Sequence, residues 1–192
     1  MTEEYVGRKF ETVFTGSARE WGSQAVDLVL ASHFMDALGL TPENAGNLSV
    51  RLGGGFLITP GGINKRELST TQLVEVEGFD GRKASVIGSL EPSSEVPMHW
   101  LIYDTYPNVN AVVHVHDMKM VEGPPSFVPV TPETEYGTKD QAIHVAELIE
   151  KSPYVVIAGH GVVGVGRTLL QSVFLVERMH RGSTTDIDLF SV

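Results

Sequence analysis

The sharpest local signal in the sequence is AVVHVH, residues 111–116. Its apolar, β-branched residues predict a buried strand over Asn110–His116. Successive side chains of a strand point to opposite faces, so His114 and His116 are expected on the same face. Two such imidazoles can bind one metal ion, but two ligands do not complete a zinc site. A histidine pair on the solvated face of an edge strand is the simpler alternative.

The segments on either side of this strand predict helices interleaved with short strands. Helices are expected over Arg19–Leu38, Ser94–Tyr106, Gln141–Lys151 and Arg167–Arg181, because their apolar residues recur three and four apart. Strands are expected over Asn47–Leu52, Phe56–Thr59, Leu73–Val76, Lys83–Ile87, Tyr154–Ala158 and Val162–Val165, the first two forming a hairpin. This pattern predicts one α/β domain with a central mixed or antiparallel sheet.

The ends of the chain and one internal segment carry weaker signals. Residues 1–17 are predicted to be a polar N-terminal arm, residues 18–182 the domain, and residues 183–192 a C-terminal tail. Residues 117–138 are rich in Pro, Glu and Thr and are predicted to be a loop.

Composition excludes several classes of function. The 192 residues include 14 Lys plus Arg against 24 Asp plus Glu, a net charge of −10, which disfavours nucleic acid and anionic membranes as partners. The absence of cysteine excludes disulfides, thiolate zinc sites and cysteine nucleophiles, so that a bound metal must use His, Asp or Glu. Without an apolar signal segment or membrane span, the expected location is the cytoplasm.

A third metal ligand has one good candidate in the sequence. His160 follows a predicted strand, and the glycines on either side of it leave room for a ligand and allow a sharp turn. A histidine in an ordinary strand-to-strand turn is the alternative.

Three short segments could form an anion site. Ser93 and Ser94 precede Glu95 at a predicted helix start, where backbone N–H groups are free. In the alternative interpretation, Ser94 is a simple N-cap and Glu95 complements the helix dipole. The segments 46–51 and 59–62 offer glycine and short polar residues suited to phosphate, although such segments are more often plain turns. His99, four residues after Glu95, is expected to make buried hydrogen bonds.

Taken in order, these segments resemble the class II aldolase/adducin family. The resemblance covers about residues 20–181 and rests on GNLSVR (46–51), LITPGG (57–62), PSSE (92–95), AVVHVH (111–116) and GHGVV (159–163). It implies a three-layer α/β/α fold. It also implies that His114, His116 and His160 bind one catalytic divalent metal, usually zinc, with Glu95 at the metal as general base. Other divalent transition metals suit the same donor set.

The resemblance also implies a substrate and a reaction. The residues matching Asn47, Ser93 and Ser94 bind the substrate phosphate in the family, helped by the loop matching Gly61 and Gly62. The implied enzyme is a zinc-dependent aldolase that cleaves a small ketose 1-phosphate, of the fuculose 1-phosphate type, to dihydroxyacetone phosphate and an aldehyde. The cleavage passes through an enediolate whose charge the metal stabilises. Members are usually homotetramers.

Several alternatives stay open at this point. Other reactions of the family are methylthioribulose-1-phosphate-type dehydration, pentulose-phosphate epimerisation and decarboxylation. A non-catalytic, adducin-like interaction domain is the alternative from a different class. The proton donor to the aldehyde oxygen is also open; Tyr136, the only tyrosine in the predicted loop 117–138, is the candidate.

Overall fold

Eight strands form one sheet in the computed structural model, which describes residues 7–182. The strands are β1 Glu11–Gly16, β2 Asn47–Leu52, β3 Gly55–Ile58, β4 Val74–Phe79, β5 Lys83–Ile87, β6 Ala111–Val115, β7 Tyr154–Ile157 and β8 Gly161–Gly166. Their order is β1-β5-β4-β3-β2-β6-β8-β7. β1 pairs with β5 in parallel and every other neighbouring pair is antiparallel, which confirms the mixed, largely antiparallel sheet.

Helices cover both faces of this sheet and complete the three expected layers. The helices are α1 Ser23–Ala37, α2 Val96–Thr105, α3 Met118–Glu122, α4 Lys139–Ile149 and α5 Leu169–Arg181. Helices α1, α3 and α5 bury their apolar side chains in one core, and α2 and α4 bury theirs in a second core. Two separate cores on opposite faces are what a sheet buried between helix layers requires.

Strand β6 divides its side chains between the two cores. Val113 and Val115 belong to the core under α1 and α5, whereas Val112 belongs to the core under α2 and α4. Because side chains alternate along a strand, His114 shares the face of Val112 and points toward α2. This alternation sets the position of the site described below.

Two segments differ from the sequence-based expectations. Within the predicted arm 1–17, residues Glu11–Gly16 form the edge strand β1. It is polar and half exposed and pairs with a strand about 70 residues away, so no local periodicity marks it. Within the predicted loop 117–138, Met118–Glu122 form the short helix α3, whose N-cap Asp117 accepts a hydrogen bond from the Met120 amide. The predicted tail 183–192 lies outside the described residues.

Among the helices of residues 7–182, none has both the length and the hydrophobicity needed to cross a membrane.

Candidate metal centre

Three histidines meet where β6 ends and β8 begins. His114 lies in β6, His116 follows the last residue of that strand, and His160 lies in the turn between β7 and β8. One nitrogen from each ring lies within 4.8 Å of the other two. The structure therefore brings together the pair expected on one strand face and the third histidine expected from a glycine-flanked turn.

The close approach of β8 to β6 depends on the glycine at position 161. The two strands pair with Val115 opposite Val162, directly beside the histidines. A Cβ atom on Gly161 would lie 2.5 Å from the Val115 carbonyl oxygen and 3.0 Å from Cε1 of His114. Real Cβ atoms do not reach such distances, so only glycine lets His160 come this near to His114.

A hydrogen bond to the backbone fixes the ring of His114. Its Nδ1 donates to the Val162 carbonyl oxygen at 3.0 Å, and the side chain is fully buried. Because a carbonyl oxygen can only accept, the proton of the neutral ring lies on Nδ1 and the lone pair of Nε2 points away from it. This arrangement is typical of metal-ligating histidines.

Glu95 faces the histidines from the residue before α2. Its Oε2 lies 3.0 Å from Nε2 of His114, and its Oε1 lies 3.3 Å from Nε2 of His160. Glu95 is 4% exposed. Within residues 7–182, neither Oε1 of Glu95 nor Nε2 of His114 makes a hydrogen bond. Two lone pairs that face each other in a buried space repel unless a cation lies between them.

The charge states of these groups suit a divalent cation. Burial opposes ionisation of Glu95, but the imidazoles of His114 and His160 hold the pKa of its carboxyl well below the usual range. Burial and the same two imidazoles lower the pKa of His116 to about 3, which leaves that ring neutral. One carboxylate and three imidazole rings supply the oxygen and nitrogen donors that zinc and related metals prefer. The residues present therefore fit a metal ion.

A chain of buried hydrogen bonds leads from Tyr103 to Glu95. The Tyr103 hydroxyl lies 2.8 Å from Ser49 Oγ, and Ser49 Oγ lies 2.6 Å from Nδ1 of His99. Nε2 of His99 lies 2.5 Å from Oδ1 of Asn47, whose Nδ2 donates to Oε2 of Glu95 at 2.7 Å. Burial lowers the pKa of His99 to about 3, so its ring donates from Nε2 and accepts at Nδ1. The buried hydrogen-bonding role expected for His99 is confirmed.

Replacing His99 by leucine is expected to lower the free energy of unfolding by about 2–4 kcal/mol. The change leaves Oδ1 of Asn47 buried without its donor and removes one of the two partners of the Ser49 hydroxyl, and each such loss costs about 1–3 kcal/mol. Urea unfolding followed by circular dichroism measures the effect. His144→Leu on the partly exposed face of α4 is the matched control. Equal unfolding free energies for the two variants would contradict this prediction.

The predicted phosphate residues lie around the start of α2, and two of them have other contacts. The Asn47 amide is engaged by Glu95 and His99, as described above. The Ser93 hydroxyl is buried and accepts a hydrogen bond from the Glu95 amide at 3.3 Å. Ser94 is not the N-cap, because α2 begins at Val96 with Glu95 in the cap position and without a side-chain cap. The alternative interpretation of Ser94 as a simple N-cap is therefore wrong.

The loop that contains Gly61 and Gly62 lies beside residues 91–93. Pro60 and Pro92 form an isolated β-bridge, and the Gly61 amide donates to the Glu91 carbonyl oxygen at 3.1 Å. The structure thus brings Gly61 next to the segment that leads to Ser93. Arg8, from the segment before β1, donates from Nη1 to the Pro92 carbonyl oxygen at 3.0 Å.

Tyr136 lies against the metal centre. Its ring stacks on that of His160, with centroids 5.6 Å apart and an angle of 3° between the planes. Lys9, from the segment before β1, donates to the Tyr136 carbonyl oxygen at 3.0 Å and forms an ion pair with Glu135. The sequence alone could not align Tyr136 with the site, and the packing of residues 131–137 against the β7–β8 turn determines this position.

Sequence reasoning missed three basic residues near these loops: Arg8, Lys9 and Lys65. Arg8 and Lys9 belong to the segment taken for a polar arm. Lys65 lies in a 3₁₀ turn, Lys65–Glu67, and is 1% exposed. No local pattern separates a buried lysine from an exposed one in such a turn, so its position depends on the tertiary fold.

A three-layer α/β/α domain with three histidines and a glutamate around one point defines the chain as a candidate metalloenzyme. The sequence profile of the Class II Aldolase and Adducin N-terminal domain family matches residues 26–122 and 118–185. The chain belongs to the class II aldolase and adducin family.

Two relatives and one solved structure illustrate the similarity. The chain is 31% identical over 163 residues to the L-fuculose phosphate aldolase of Haemophilus influenzae. The aligned region covers 76% of this chain and 73% of that protein. It is 30% identical over 165 residues to the 5-methylthioribulose-1-phosphate/5-deoxyribulose-1-phosphate aldolase of Rhodospirillum rubrum, with 77% and 73% covered. A solved L-fuculose 1-phosphate aldolase superimposes with a TM-score of 0.76 at 25% identity, covering 86% of this chain and 85% of the other.

Proposed function

We propose that this protein is a metal-dependent aldolase that cleaves a small ketose 1-phosphate to dihydroxyacetone phosphate and an aldehyde. The observation that carries the proposal is the convergence of three histidines and one buried carboxylate on a single point. Membership of a family that contains lyases supports it. The relatives that are aldolases of sugar 1-phosphates support the substrate class.

The proposed metal is Zn²⁺, held by His114, His116, His160 and Glu95. When bound, a divalent ion supplies Lewis-acid stabilisation of the negative charge that develops on substrate oxygen atoms during C–C cleavage. His114 contributes a lone pair oriented by its hydrogen bond to Val162. The burial of the centre excludes water and strengthens these electrostatic contacts.

Glu95 is the proposed general acid and base. Cleavage of the C3–C4 bond moves one proton overall, since the C4 hydroxyl loses its proton as the aldehyde forms and C3 gains one as dihydroxyacetone phosphate forms. Glu95 delivers the proton to C3 and removes it in the reverse, condensing direction. Asn47 supports this role because its amide holds Oε2 of Glu95 through the hydrogen-bond chain from Tyr103.

The phosphate end is proposed to lie among Asn47, Gly61, Gly62, Ser93 and Ser94. Gly61 and Ser93 are brought into one neighbourhood by the Pro60–Pro92 bridge. Backbone N–H groups of glycine turns and hydroxyl groups are suitable donors to phosphate oxygens. Holding the non-reacting end in this way keeps C3 in register with Glu95.

Tyr136 is the proposed proton donor to the aldehyde oxygen in the condensing direction. In cleavage its phenolate takes the same proton back from the C4 hydroxyl, while Glu95 gives one proton to C3. The position of Tyr136 against His160 supports this role. Tyr136→Phe keeps the stacked ring and is therefore expected to lower kcat by about 10²-fold or more, with little change in metal content. Steady-state kinetics measure the loss, and Tyr106→Phe, at a partly exposed tyrosine of the α2 end, is the control. Wild-type kcat in Tyr136→Phe would remove this residue from the mechanism.

The proposal is tested by release of dihydroxyacetone phosphate from a panel of ketose 1-phosphates. The panel includes fuculose 1-phosphate and a methylthiopentulose 1-phosphate, each assayed with added zinc and again after chelation. Release that the chelator abolishes supports the aldolase. Substrate loss as water elimination, without dihydroxyacetone phosphate, would replace it with the dehydratase.

A homo-oligomer, and by family analogy a homotetramer, is the proposed assembly. Apolar side chains that are more than a third exposed follow one face of α1 at Val26, Leu30 and Phe34, and α5 adds Leu170 and Phe174. Helices α1 and α5 contact each other. Apolar surfaces of this kind favour association between copies, and sedimentation equilibrium would measure the mass. The expected cytoplasmic location stays a prediction.

A further inference from the structure

Lys65 is a lysine buried in the body of the domain. Its side chain is among the largest that are fully buried, at 1% exposure. Its Nζ donates to the carbonyl oxygens of Asn44 at 3.1 Å and of Ile63 at 3.0 Å. Within residues 7–182 its partners are these two backbone carbonyls, and no carboxylate forms an ion pair with it.

Burying the ammonium group of Lys65 costs free energy, because the charge loses its hydration. Lysine is almost never fully buried unless it is paired with an opposite charge. Burial lowers the pKa of Lys65 to about 8, and Asp36 partly opposes that effect. The side chain therefore stays mainly protonated at neutral pH. A buried cation that forms no direct ion pair is a candidate for a functional site.

The two carbonyl groups belong to the two loops that lead into the proposed phosphate residues. Asn44 precedes Gly46 and Asn47, and Ile63 follows Gly61 and Gly62. Lys65 therefore links the two loops through hydrogen bonds. Its partners Asn44 and Ile63 lie within three residues of the predicted phosphate ligands in the same loops.

The loop that contains Asn44 passes close to strand β6 at Gly46. Gly46 has a φ of 69°, and a Cβ atom there would lie 2.8 Å from the His114 carbonyl oxygen. The loop that Lys65 holds is thus packed directly on the strand of the metal ligands.

The ammonium group retains capacity for a further acceptor. It carries three N–H donors, and the carbonyls of Asn44 and Ile63 take two of them. A phosphate monoester carries about two negative charges, and the chain itself has a net charge of −10. A local cation favours the approach of a phosphate to a chain of this net charge.

We propose that Lys65 is the positioning residue of the phosphate end: it holds the loops 44–47 and 61–63 together and supplies the buried positive charge that favours a phosphate dianion. This inference rests on the proposed function for the identity of the substrate, but phosphate binding itself can be measured without turnover.

The first experiment measures binding of inorganic phosphate to the zinc-loaded full chain by isothermal titration calorimetry. Lys65→Met keeps the length of the side chain and removes its charge, and we expect it to weaken phosphate binding by about 10–100-fold, because a hydrogen bond to a charged group is lost. Lys65→Arg restores the charge and is expected to recover most of the affinity. Lys151→Met, on an exposed lysine after α4, removes the same charge elsewhere and should bind as the wild type does.

The second experiment separates a charge effect from a general structural one. For a phosphorylated ketose, Lys65→Met should raise KM more than it lowers kcat. Calorimetric binding of the matching unphosphorylated ketose should be equal in Lys65→Met and wild type, because the phosphate is missing from that ligand.

Three results would overturn the inference. These are equal phosphate affinities in folded Lys65→Met and wild type, no phosphate binding by the wild type, or reductive trapping of a ketose phosphate on Lys65 by borohydride, which would make the residue a nucleophile instead. If Lys65→Met does not fold, the ¹⁵Nζ resonance of Lys65 in the wild-type protein decides, because saturation with phosphate must move it. Lys65-dependent phosphate binding without dihydroxyacetone phosphate release would overturn the proposed aldolase and leave this inference intact.

Discussion

Replacing Glu95 by glutamine is expected to lower kcat by about 10²–10⁴-fold at saturating zinc, to weaken zinc binding because one ligand is altered, and to leave the fold near that of the wild type. Glutamine has the same shape, and its amide oxygen can still accept the hydrogen bond that Asn47 donates to Oε2. The lost property is the ability to carry a proton to and from C3. Steady-state kinetics, metal analysis and circular dichroism measure the three quantities.

The control for this variant is Glu147→Gln, which removes an exposed carboxylate of α4 and should leave kcat unchanged. A Glu95→Gln enzyme with wild-type kcat would exclude Glu95 as the acid–base group. Loss of assembly in this variant, in a protein without measurable turnover, would instead favour the interaction-domain alternative.

Replacing His116 by glutamine is expected to weaken zinc binding by more than about 100-fold and to abolish aldolase activity. Loss of an outer hydrogen-bond partner of a ligand costs about 10–100-fold in metal affinity, so that loss of a direct ligand should exceed it. His116 is the best of the three histidines for this test because its side chain is partly exposed, whereas His114 and His160 are buried. The measurement is zinc competition against a chelating dye, followed by metal analysis after dialysis.

His144→Gln provides the matched comparison, since His144 is a partly exposed histidine on α4 away from the cluster. It should bind zinc with wild-type affinity. If His116→Gln also retained wild-type affinity, the ligand set proposed here would be wrong.

The local pattern of the sequence was sufficient to predict the strand that carries the histidines. The alternation in residues 111–116 predicts that His114 and His116 share a face, and the structure brings their rings together with centroids 5.2 Å apart. The glycines around His160 predict a sharp turn, and His160 indeed lies between β7 and β8. The alternation of side chains along a strand and the residues that favour a turn are local properties, so both can be predicted from a single sequence.

The surroundings of Glu95 could not be predicted in the same way. Asn47 reaches Glu95 because β2 pairs with β6 and places Asn47 opposite His114. The contact between Asn47 and His99 joins residues 52 positions apart. Such contacts depend on the order of the strands and on how α2 packs on the sheet. Local sequence patterns predict neither of these.

The burial of Lys65 could not be predicted from the sequence either, because lysine side chains are usually exposed. Its partners are the backbone carbonyl oxygens of Asn44 and Ile63. Every residue has such a carbonyl, so the residue types at these positions do not predict the contacts. Only the positions of the two loops reveal the contact.

The amino-terminal strand β1 has a consequence for the behaviour of the whole sheet in solution. It lies outside residues 26–185, where the family profile matches, and it covers the open side of β5. A chain trimmed to the matched range would present the backbone N–H and C=O groups of β5 to other molecules, and such bare edges recruit further strands into aggregates. With β1 in place the outermost strand is short and polar, and the ion pair between Glu11 and Lys83 adds charge along that border. Protection of this edge of the sheet against association is therefore a property of residues outside the candidate metal centre.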